Sequence, residues 1–355
     1  MAVRPLHVVD ALAQYETFDT VIDARSPGEF ALDHLPGADN WPVLDDTERA
    51  LVGTEYKQVS ALDARKQGAA LVARRIADLF DRHLADKPRE WSPLVYCWRG
   101  GQRSGTLAWF LDQVGFRVNL LQGGYKAFRT AVRDELAVLP DRFDFHVLGG
   151  RTGTGKSRLL QALNAQGAQV LDLEALACHR GSVLGALPGL AQPSQKQFEG
   201  RIWQSLRGLD PTRPVFVESE SRKIGQLQVP EALILRMRAH GRLWLVEMPL
   251  AQRVQLLLED YAHFFDRPAE FCAMLQSLVE LRGHERVVGW QTMAQQGRWA
   301  EVFEALVTEH YDPLYLRSMR QNYQGWEQAR SWALSDGQEK TLRLAAQGLL
   351  AEPGA

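Results

Sequence analysis

Residues 150–157 constrain the fold of this chain more than any other segment. They read GRTGTGKS and fit the pattern G-x4-G-K-[ST] in full. The apolar run FHVLGG (145–150) precedes them, and Leu159, Leu160 and Leu163 follow at helical spacing. A strand, a glycine-rich turn and a helix in this order direct backbone N–H groups at a bound anion, so the segment predicts a phosphate-binding loop, or P-loop. The predicted phosphate-binding residues are Gly150, Arg151, Thr152, Gly153, Thr154, Gly155, Lys156 and Ser157.

Two side chains of this loop have separate expected roles. Lys156 reaches the terminal phosphates, and Ser157 is a candidate Mg²⁺ ligand, with no other metal ligand assigned. A further acid is expected at the end of another buried strand, where Asp172 and Glu218 are both candidates for contacting Mg²⁺ or a substrate. Each could instead cap its strand. The motif leaves open whether a nucleotide or another diphosphate binds, because the loop contacts only phosphate oxygens.

Polar loops after the other predicted strands supply substrate-binding candidates. ESESRK (218–223) is unusually polar for a segment that follows an apolar strand, and HRGS (179–182) also lies in a loop. Such loops line the ligand crevice of an open α/β sheet. The candidates are Asp172, His179, Arg180, Glu218, Arg222 and Lys223.

A second anion-binding loop is predicted around Cys97. The segment CWRGGQRS (97–104) follows the apolar strand PLVYCW and precedes a helix at 104–115. Two glycines let the backbone curl, and the helix N-terminus adds positive potential, which together stabilise a thiolate. The alternative is that Cys97 is only a small buried hydrophobic residue. The remaining loop residues are Trp98, Gly100, Gly101, Gln102 and Ser104.

Two arginines of this loop complete the predicted catalytic set with Cys97. Arg103 could clamp a phosphate-like oxyanion in bidentate fashion, and Arg99 could face the incoming substrate. Trp98 could stack on a base or form a wall of the pocket.

The order of elements predicts two α/β regions. Strands are expected at 20–25, 93–98 and 117–124, and again at 145–150, 168–174, 214–220 and 242–248. Helical patterns separate them, which is typical of βαβ units with parallel sheets. We expect one domain over 1–140, a P-loop core over 141–250 and a region over 251–355 that is helical throughout.

Composition excludes several classes of protein. Three cysteines, Cys97, Cys178 and Cys272, are too few for a disulfide framework and lack zinc spacing, so a reducing compartment, by default the cytoplasm, is expected. No apolar run could span a membrane, and the N-terminal residues do not resemble a signal peptide. The net charge is −2, so a polyanionic partner must meet a local basic patch. Candidates are RMRAHGR (236–242), Arg317, Arg320 and Arg330, which could equally be solvated surface.

Three segments carry a resemblance to the rhodanese family. DARSPGEFALDHLPGA (23–38) resembles the rhodanese signature, LLQGGYKAFR (120–129) resembles its closing segment, and Cys97 matches the cysteine that carries sulfur or selenium. This resemblance implies a rhodanese-like domain at the N-terminus.

The combination of both loops resembles the tRNA 2-selenouridine synthase family over nearly the whole chain. HRGSVLG (179–185), VESESRKIG (217–225) and HYDPLY (310–315) add to this resemblance. It implies an enzyme that converts wobble 2-thiouridine in a tRNA anticodon stem-loop to 2-selenouridine through S-geranyl-2-thiouridine. Geranyl diphosphate and selenophosphate would be the other substrates, and selenophosphate synthetase would be a candidate partner.

A geranyl chain would need an apolar slot. Tyr261, Phe264, Phe265 and Phe271 could supply it, or could be ordinary helix core. The rival functions are a nucleotide-dependent kinase with a regulatory rhodanese module, a plain sulfurtransferase, and a non-catalytic phosphate sensor.

Overall fold

The computed structural model describes residues 2–352, which form two compact units that divide between Glu135 and Leu136. Each unit contains a five-stranded parallel sheet with helices around it. The mixed α/β class expected from the sequence is therefore confirmed, and the division lies close to the expected residue 140.

The sheet of the N-terminal unit has the order β1-β5-β4-β2-β3. Its strands are β1 (Arg4–Leu6), β2 (Thr20–Asp23), β3 (Asp39–Asn40), β4 (Pro93–Tyr96) and β5 (Asn119–Leu121). Every residue of the central strand β4 is buried, as expected for a parallel strand that is covered on both faces.

Among the described residues, six α-helices surround this sheet. They are α1 (Val8–Ala13), α2 (Pro27–Leu32), α3 (Asp46–Gln58), α4 (Ala61–His83), α5 (Gln102–Val114) and α6 (Gly124–Leu136). Helix α5 follows the cysteine loop and buries Leu107, Ala108 and Leu111, which lie on one helical face. It ends at Gly115, which has φ +111°.

The start of α6 holds the backbone of the cysteine loop. The amides of Tyr125 and Lys126 donate to the carbonyl oxygens of Cys97 (2.8 Å) and Trp98 (3.0 Å). Gly124 has φ +55°, and a Cβ there would overlap the Cys97 carbonyl oxygen and lie 2.6 Å from the amide nitrogen of Gly100. Only glycine allows the two segments to approach so closely.

The sheet of the C-terminal unit has the order β12-β11-β6-β8-β7, and the unit also contains a two-stranded antiparallel hairpin. The strands are β6 (Phe145–Gly149), β7 (Gln169–Leu171), β8 (Val215–Glu218), β9 (Lys223–Ile224), β10 (Leu227–Gln228), β11 (Arg242–Glu247) and β12 (Arg330–Ala333). The four strands expected between 145 and 248 correspond to β6, β7, β8 and β11.

The helices of this unit include one π-helical stretch, Leu306–Tyr311. The α-helices are α7 (Lys156–Ala165), α8 (Leu173–Ala177), α9 (Gln195–Arg207), α10 (Glu231–His240), α11 (Leu250–Asp260), α12 (Pro268–Leu275), α13 (Val279–Arg282), α14 (His284–Gln295), α15 (Trp299–Ala305), α16 (Asp312–Asn322) and α17 (Glu339–Ala351). None of the helices among residues 2–352 combines the length and apolar content that crossing a bilayer requires.

The expectation that residues 251–355 are helical throughout is wrong at β12. This strand pairs in parallel with β11, with Arg330 opposite Trp244. Its sequence RSWA is short and only partly buried, because β12 lies at the sheet edge, so it carries no apolar run or clear alternation. Helix α17 follows and packs Leu342, Ala346 and Leu349 into the same core as Leu159 of α7.

Replacement of Gly124 tests how tightly the cysteine loop is held. Gly37→Ala is the reference variant, because Gly37 has φ +66° and no atom lies within 4 Å of the new Cβ. We expect it to lower the free energy of unfolding by ~1–2 kcal/mol, for the left-handed backbone alone. Gly124→Ala should cost about 1–3 kcal/mol more, because its methyl group overlaps backbone atoms. Urea unfolding of the full chain, followed by tryptophan fluorescence, measures both. Equal midpoints for the two variants would show that the loop yields without cost.

Candidate functional site

The P-loop connects β6 to α7, and its lysine side chain binds the backbone of the turn. The Lys156 Nζ donates to the carbonyl oxygens of Gly150 (2.9 Å) and Arg151 (3.3 Å). Gly150 has φ +153°, and a Cβ there would lie 2.5 Å from the carbonyl oxygen of Val246 at the end of β11. The predicted strand, turn and helix are therefore present, and the lysine lies over the turn where a phosphate would draw it outward.

A buried ion pair holds the outer side of the P-loop. Arg253 on α11 is 2% exposed and binds Asp312 of α16 through two hydrogen bonds of 2.9 and 2.6 Å. Its Nε donates to the carbonyl oxygen of Thr152 at 2.8 Å. A planar guanidinium can make both contacts at once, so this arginine joins two helices to the phosphate-binding turn.

Tyr315 contacts the start of the P-loop from α16. Its hydroxyl accepts a hydrogen bond from the Gly150 amide at 2.6 Å and pairs with the Ser219 hydroxyl at 2.7 Å. The Lys156 ammonium lies 5.5 Å from the centre of its ring. The HYDPLY segment thus supplies both the partner of Arg253 and a polar contact inside the site.

A cavity of about 820 Å³ opens over the P-loop. Its polar side includes Lys156 and Ser157, together with Glu218 at the end of β8. Its apolar side is formed by side chains of α11, the 183–187 loop and α16. These are Val183, Leu187, Leu256, Leu257, Tyr261, Leu314 and Met319. A concave site lined by both polar and apolar side chains can hold a ligand of both characters.

Three carboxylates converge on the polar side. One oxygen of each of Glu174, Glu218 and Glu220 lies within 4.8 Å of the others, and Ser157 donates to Glu174 at 3.4 Å. Burial raises the pKa of all three carboxyl groups, and repulsion from Glu218 raises the pKa of Glu174 and Glu220 further. A proton or another cation at this point would relieve that repulsion.

Three other predicted substrate residues also line this cavity. The Asp172 carboxylate accepts from the Ala175 amide at 2.8 Å and so caps α8. His179 accepts from the Gly181 amide at 3.1 Å, and burial lowers its pKa, which favours the neutral ring. Arg180 donates to the Asp260 carbonyl oxygen at 2.6 Å and lies over the Tyr261 ring.

The structure places two predicted residues elsewhere. Arg222 and Lys223 are exposed at the β9–β10 hairpin and are not among the residues that line the cavity. In the basic segment 236–242, Arg236 donates to the Phe143 carbonyl oxygen and Arg238 to the Asn322 side chain. Some charges of that segment therefore serve intradomain contacts.

The aromatic stretch proposed for a geranyl chain is mostly core. Phe264 and Phe271 are buried in the helical cluster, and Phe265 stacks on Trp299. Only Tyr261 of that stretch lines the cavity, because the other rings pack between α12, α14 and α15. The leucines of α11 and α16 form the apolar wall instead.

Cys97 lies between β4 and α5, at the base of the predicted anion loop. It is 3% exposed, and the Ser104 hydroxyl in the first turn of α5 donates to its Sγ at 3.0 Å. Trp98, beside it, is 37% exposed. The sulfur therefore lies beside a hydroxyl donor and the N-terminus of α5.

The end of β2 and the residues that follow it support this loop. Arg25, 1% exposed, forms a buried ion pair with Asp23 at 2.6 Å, and its guanidinium lies 4.0 Å from the centre of the Tyr125 ring. The Tyr125 hydroxyl donates to Asp33 at 2.6 Å. Because the Tyr125 amide also donates to the Cys97 carbonyl oxygen, Tyr125 links the Asp-x-Arg segment to the cysteine loop.

The two arginines of the loop have different surroundings. Arg103 forms an ion pair with Glu29 at 2.6 Å, so its guanidinium is held rather than unpaired. Burial raises the pKa of Glu29, but the hydrogen bond and charge of Arg103 bring it below its usual value. Arg99 is exposed and, with Lys126, lines a separate cavity of about 660 Å³.

Sequence reasoning missed several residues in and around the P-loop cavity. Glu174 follows Asp172 by two positions, which was the available signal, and Glu220 belongs to a segment already marked as polar. Asp312 and Tyr315 lie in HYDPLY, which carried no assigned role. Arg253 has no local signal, because its partners are distant in sequence.

Two family models match the chain. The rhodanese-like domain matches residues 7–131, and the tRNA 2-selenouridine synthase AAA domain matches residues 143–287. The expected order of a rhodanese-like domain followed by a P-loop domain is confirmed.

Individual proteins are similar over longer stretches. A tRNA 2-selenouridine synthase of Nitrosomonas europaea is 39% identical over 71% of this chain and 66% of its own length. Another, of Pseudomonas fluorescens, is 34% identical over 88% of this chain and 92% of its own length. Among solved structures, the N-terminal domain of a putative ATP/GTP binding protein from Clostridium difficile 630 is 34% identical, covers 37% of this chain and 98% of that one, and has a TM-score of 0.32. Since the Pseudomonas match extends over both units, this chain belongs to the tRNA 2-selenouridine synthase family.

Proposed function

We propose that this protein converts wobble 2-thiouridine in tRNA to 2-selenouridine through S-geranyl-2-thiouridine. The P-loop cavity would bind geranyl diphosphate, and the loop of Cys97 would hold the selenium that selenophosphate supplies. The names of the relatives support a tRNA-modifying enzyme. The two-step chemistry is argued from the two sites.

One observation carries the proposal: the P-loop cavity combines a phosphate cradle with an apolar wall. Leu257 packs against Gly153 of the loop, and Leu256 and Leu314 extend the wall. A nucleoside ligand would present polar edges to these leucines, whereas a prenyl chain would bury apolar surface there at about 25 cal/mol per Å². The volume of about 820 Å³ is in the range of sites that hold small-molecule ligands.

In the first step, the sulfur of 2-thiouridine attacks C1 of the geranyl group. The new C–S bond forms as the C1–O bond breaks, the N3 proton of the base is lost, and diphosphate leaves with the bonding pair. Lys156 and the backbone amides of the P-loop stabilise the charge that develops on the leaving group.

In the second step, the selenium of selenophosphate attacks C2 of the geranylated base, and water then cleaves the Se–P bond, which leaves selenium on the base and releases phosphate. The geranylthiolate leaves with the C2–S bonding pair, which is easier than expulsion of sulfide from 2-thiouridine. Selenium in selenophosphate is already reduced, so this exchange needs no external reductant. The loop around Cys97, with Ser104 and the N-terminus of α5, supplies an environment for an anionic chalcogen.

The tRNA would approach the cysteine loop at its exposed side. Trp98 offers a ring for stacking on a base, and Arg99 and Lys126 offer charge for phosphates. Selenophosphate synthetase remains a candidate partner as the source of the donor.

Lys156→Ala tests the diphosphate assignment. We expect geranylation of 2-thiouridine tRNA by geranyl diphosphate to slow by about 10²–10³-fold, the usual loss when one electrostatic donor to a leaving group is removed. Mass spectrometry of tRNA nucleosides measures the product. Lys340→Ala, at an exposed lysine of α17, is the matched control. Normal geranylation by Lys156→Ala, with loss of an ATP-dependent activity instead, would favour the kinase alternative.

Cys97→Ser tests whether the two loops serve separate reactions. We expect geranylation to be retained and conversion to 2-selenouridine to fall to background, because serine lacks the thiol that the proposed selenium step requires. Nucleosides are analysed after incubation with both substrates and with each omitted in turn. The control is Cys272→Ser, whose hydroxyl keeps the Gln291 carbonyl oxygen as an acceptor. Loss of both reactions in Cys97→Ser alone would contradict two separate sites.

A further inference from the structure

We propose that Glu174, Glu218 and Glu220, with the hydroxyl of Ser157, form a site for a resident divalent cation of the Mg²⁺ class. The protein would hold this cation by itself, before any phosphate compound enters the cavity. The inference does not depend on which diphosphate the P-loop binds.

The geometry brings the three carboxylates from two different segments to one point. Glu218 ends β8 and Glu220 lies two residues beyond it, whereas Glu174 comes from the first turn of α8. Their oxygens lie within 4.8 Å of one another, the span of ligands around one ion. Ser157, the residue after the P-loop lysine, already contacts Glu174.

A buried oxygen without a partner points to a missing ligand. Glu218 is 4% exposed, and among the described residues no donor makes a hydrogen bond to its Oε1. Leaving such an oxygen without a partner costs ~1–3 kcal/mol or more for a charged group. Since Glu218 lines the cavity and supplies one oxygen to the cluster, a cation bound there would give this buried carboxylate a partner.

The surrounding charges do not balance the cluster. Lys156 is the nearby cation, and its three-donor ammonium is directed at the carbonyl oxygens of Gly150 and Arg151. Asp172 adds another negative charge to the same cavity wall. A diphosphate could approach three carboxylates only at a large electrostatic cost, which a cation between them would offset.

The donor set selects the class of metal. Every proposed ligand is oxygen, which suits hard cations such as Mg²⁺ and Mn²⁺. The nearby imidazole of His179 already accepts the Gly181 amide through its Nδ1. Mg²⁺ sites usually have one or two carboxylates plus substrate phosphates, so three carboxylates imply binding without phosphate.

Mn²⁺ is the probe, and electron paramagnetic resonance of free Mn²⁺ is the readout. The full chain is titrated in buffer without any phosphate compound. We expect about one Mn²⁺ per wild-type chain, displaced by excess Mg²⁺. Glu174→Gln and Glu220→Gln should each weaken binding at least about tenfold, since even groups that only orient metal ligands are worth ~10–100-fold.

The control is Glu231→Gln, which removes the same charge at an exposed position of α10 and should bind Mn²⁺ as wild type does. Circular dichroism melts verify that each variant is folded. Binding by wild type only after inorganic diphosphate is added, or equal affinity in Glu174→Gln, Glu220→Gln and wild type, would overturn the proposal. Because no prenyl substrate is present, neither result bears on the geranyl transfer proposed above.

Discussion

Close packing of backbone on backbone shapes both anion-binding loops, and the positions of the reactive side chains depend on it. The first residue of α6 leaves no room for a Cβ beside the carbonyl oxygen of Cys97, and the first glycine of the P-loop leaves none beside that of Val246. Gly124 and Gly150 have positive φ values, which residues with a side chain rarely adopt. Neighbouring backbone therefore constrains the two loops from which the sulfur and the ammonium extend.

Electrostatics distinguishes the two loops. The cysteine loop is supported by paired charges: Asp23 with Arg25, and Glu29 with Arg103. The P-loop cavity instead concentrates acids around Ser157 and directs Lys156 toward carbonyl oxygens. The first loop is suited to one anionic atom, and the second to an anion that binds beside a cation.

Local sequence predicted the elements that local physics decides. The run FHVLGG and the following GRTGTGKS are contiguous, so the strand, the turn and the helix at Lys156 could be derived without tertiary information. The same holds for Cys97 between β4 and α5. Strand β12 could not be derived, because four partly exposed residues carry no periodic signal and their pairing partner lies more than 80 residues earlier. The aromatic residues near 264 were ambiguous for a related reason: spacing cannot distinguish a ring that lines a cavity from one in a core.

By itself, the sequence determined two α/β units, the identity of the cysteine and lysine at their loops, and the glycines within those loops. Tertiary structure alone decided which acids meet at Ser157, that Arg253 joins Asp312 to the P-loop, and that leucines of α11 and α16 rather than phenylalanines face the cavity. The reason is physical: conformation along a short segment follows from the steric and hydrogen-bonding properties of its own residues. Convergence of charges from distant segments depends on how the sheet and helices pack.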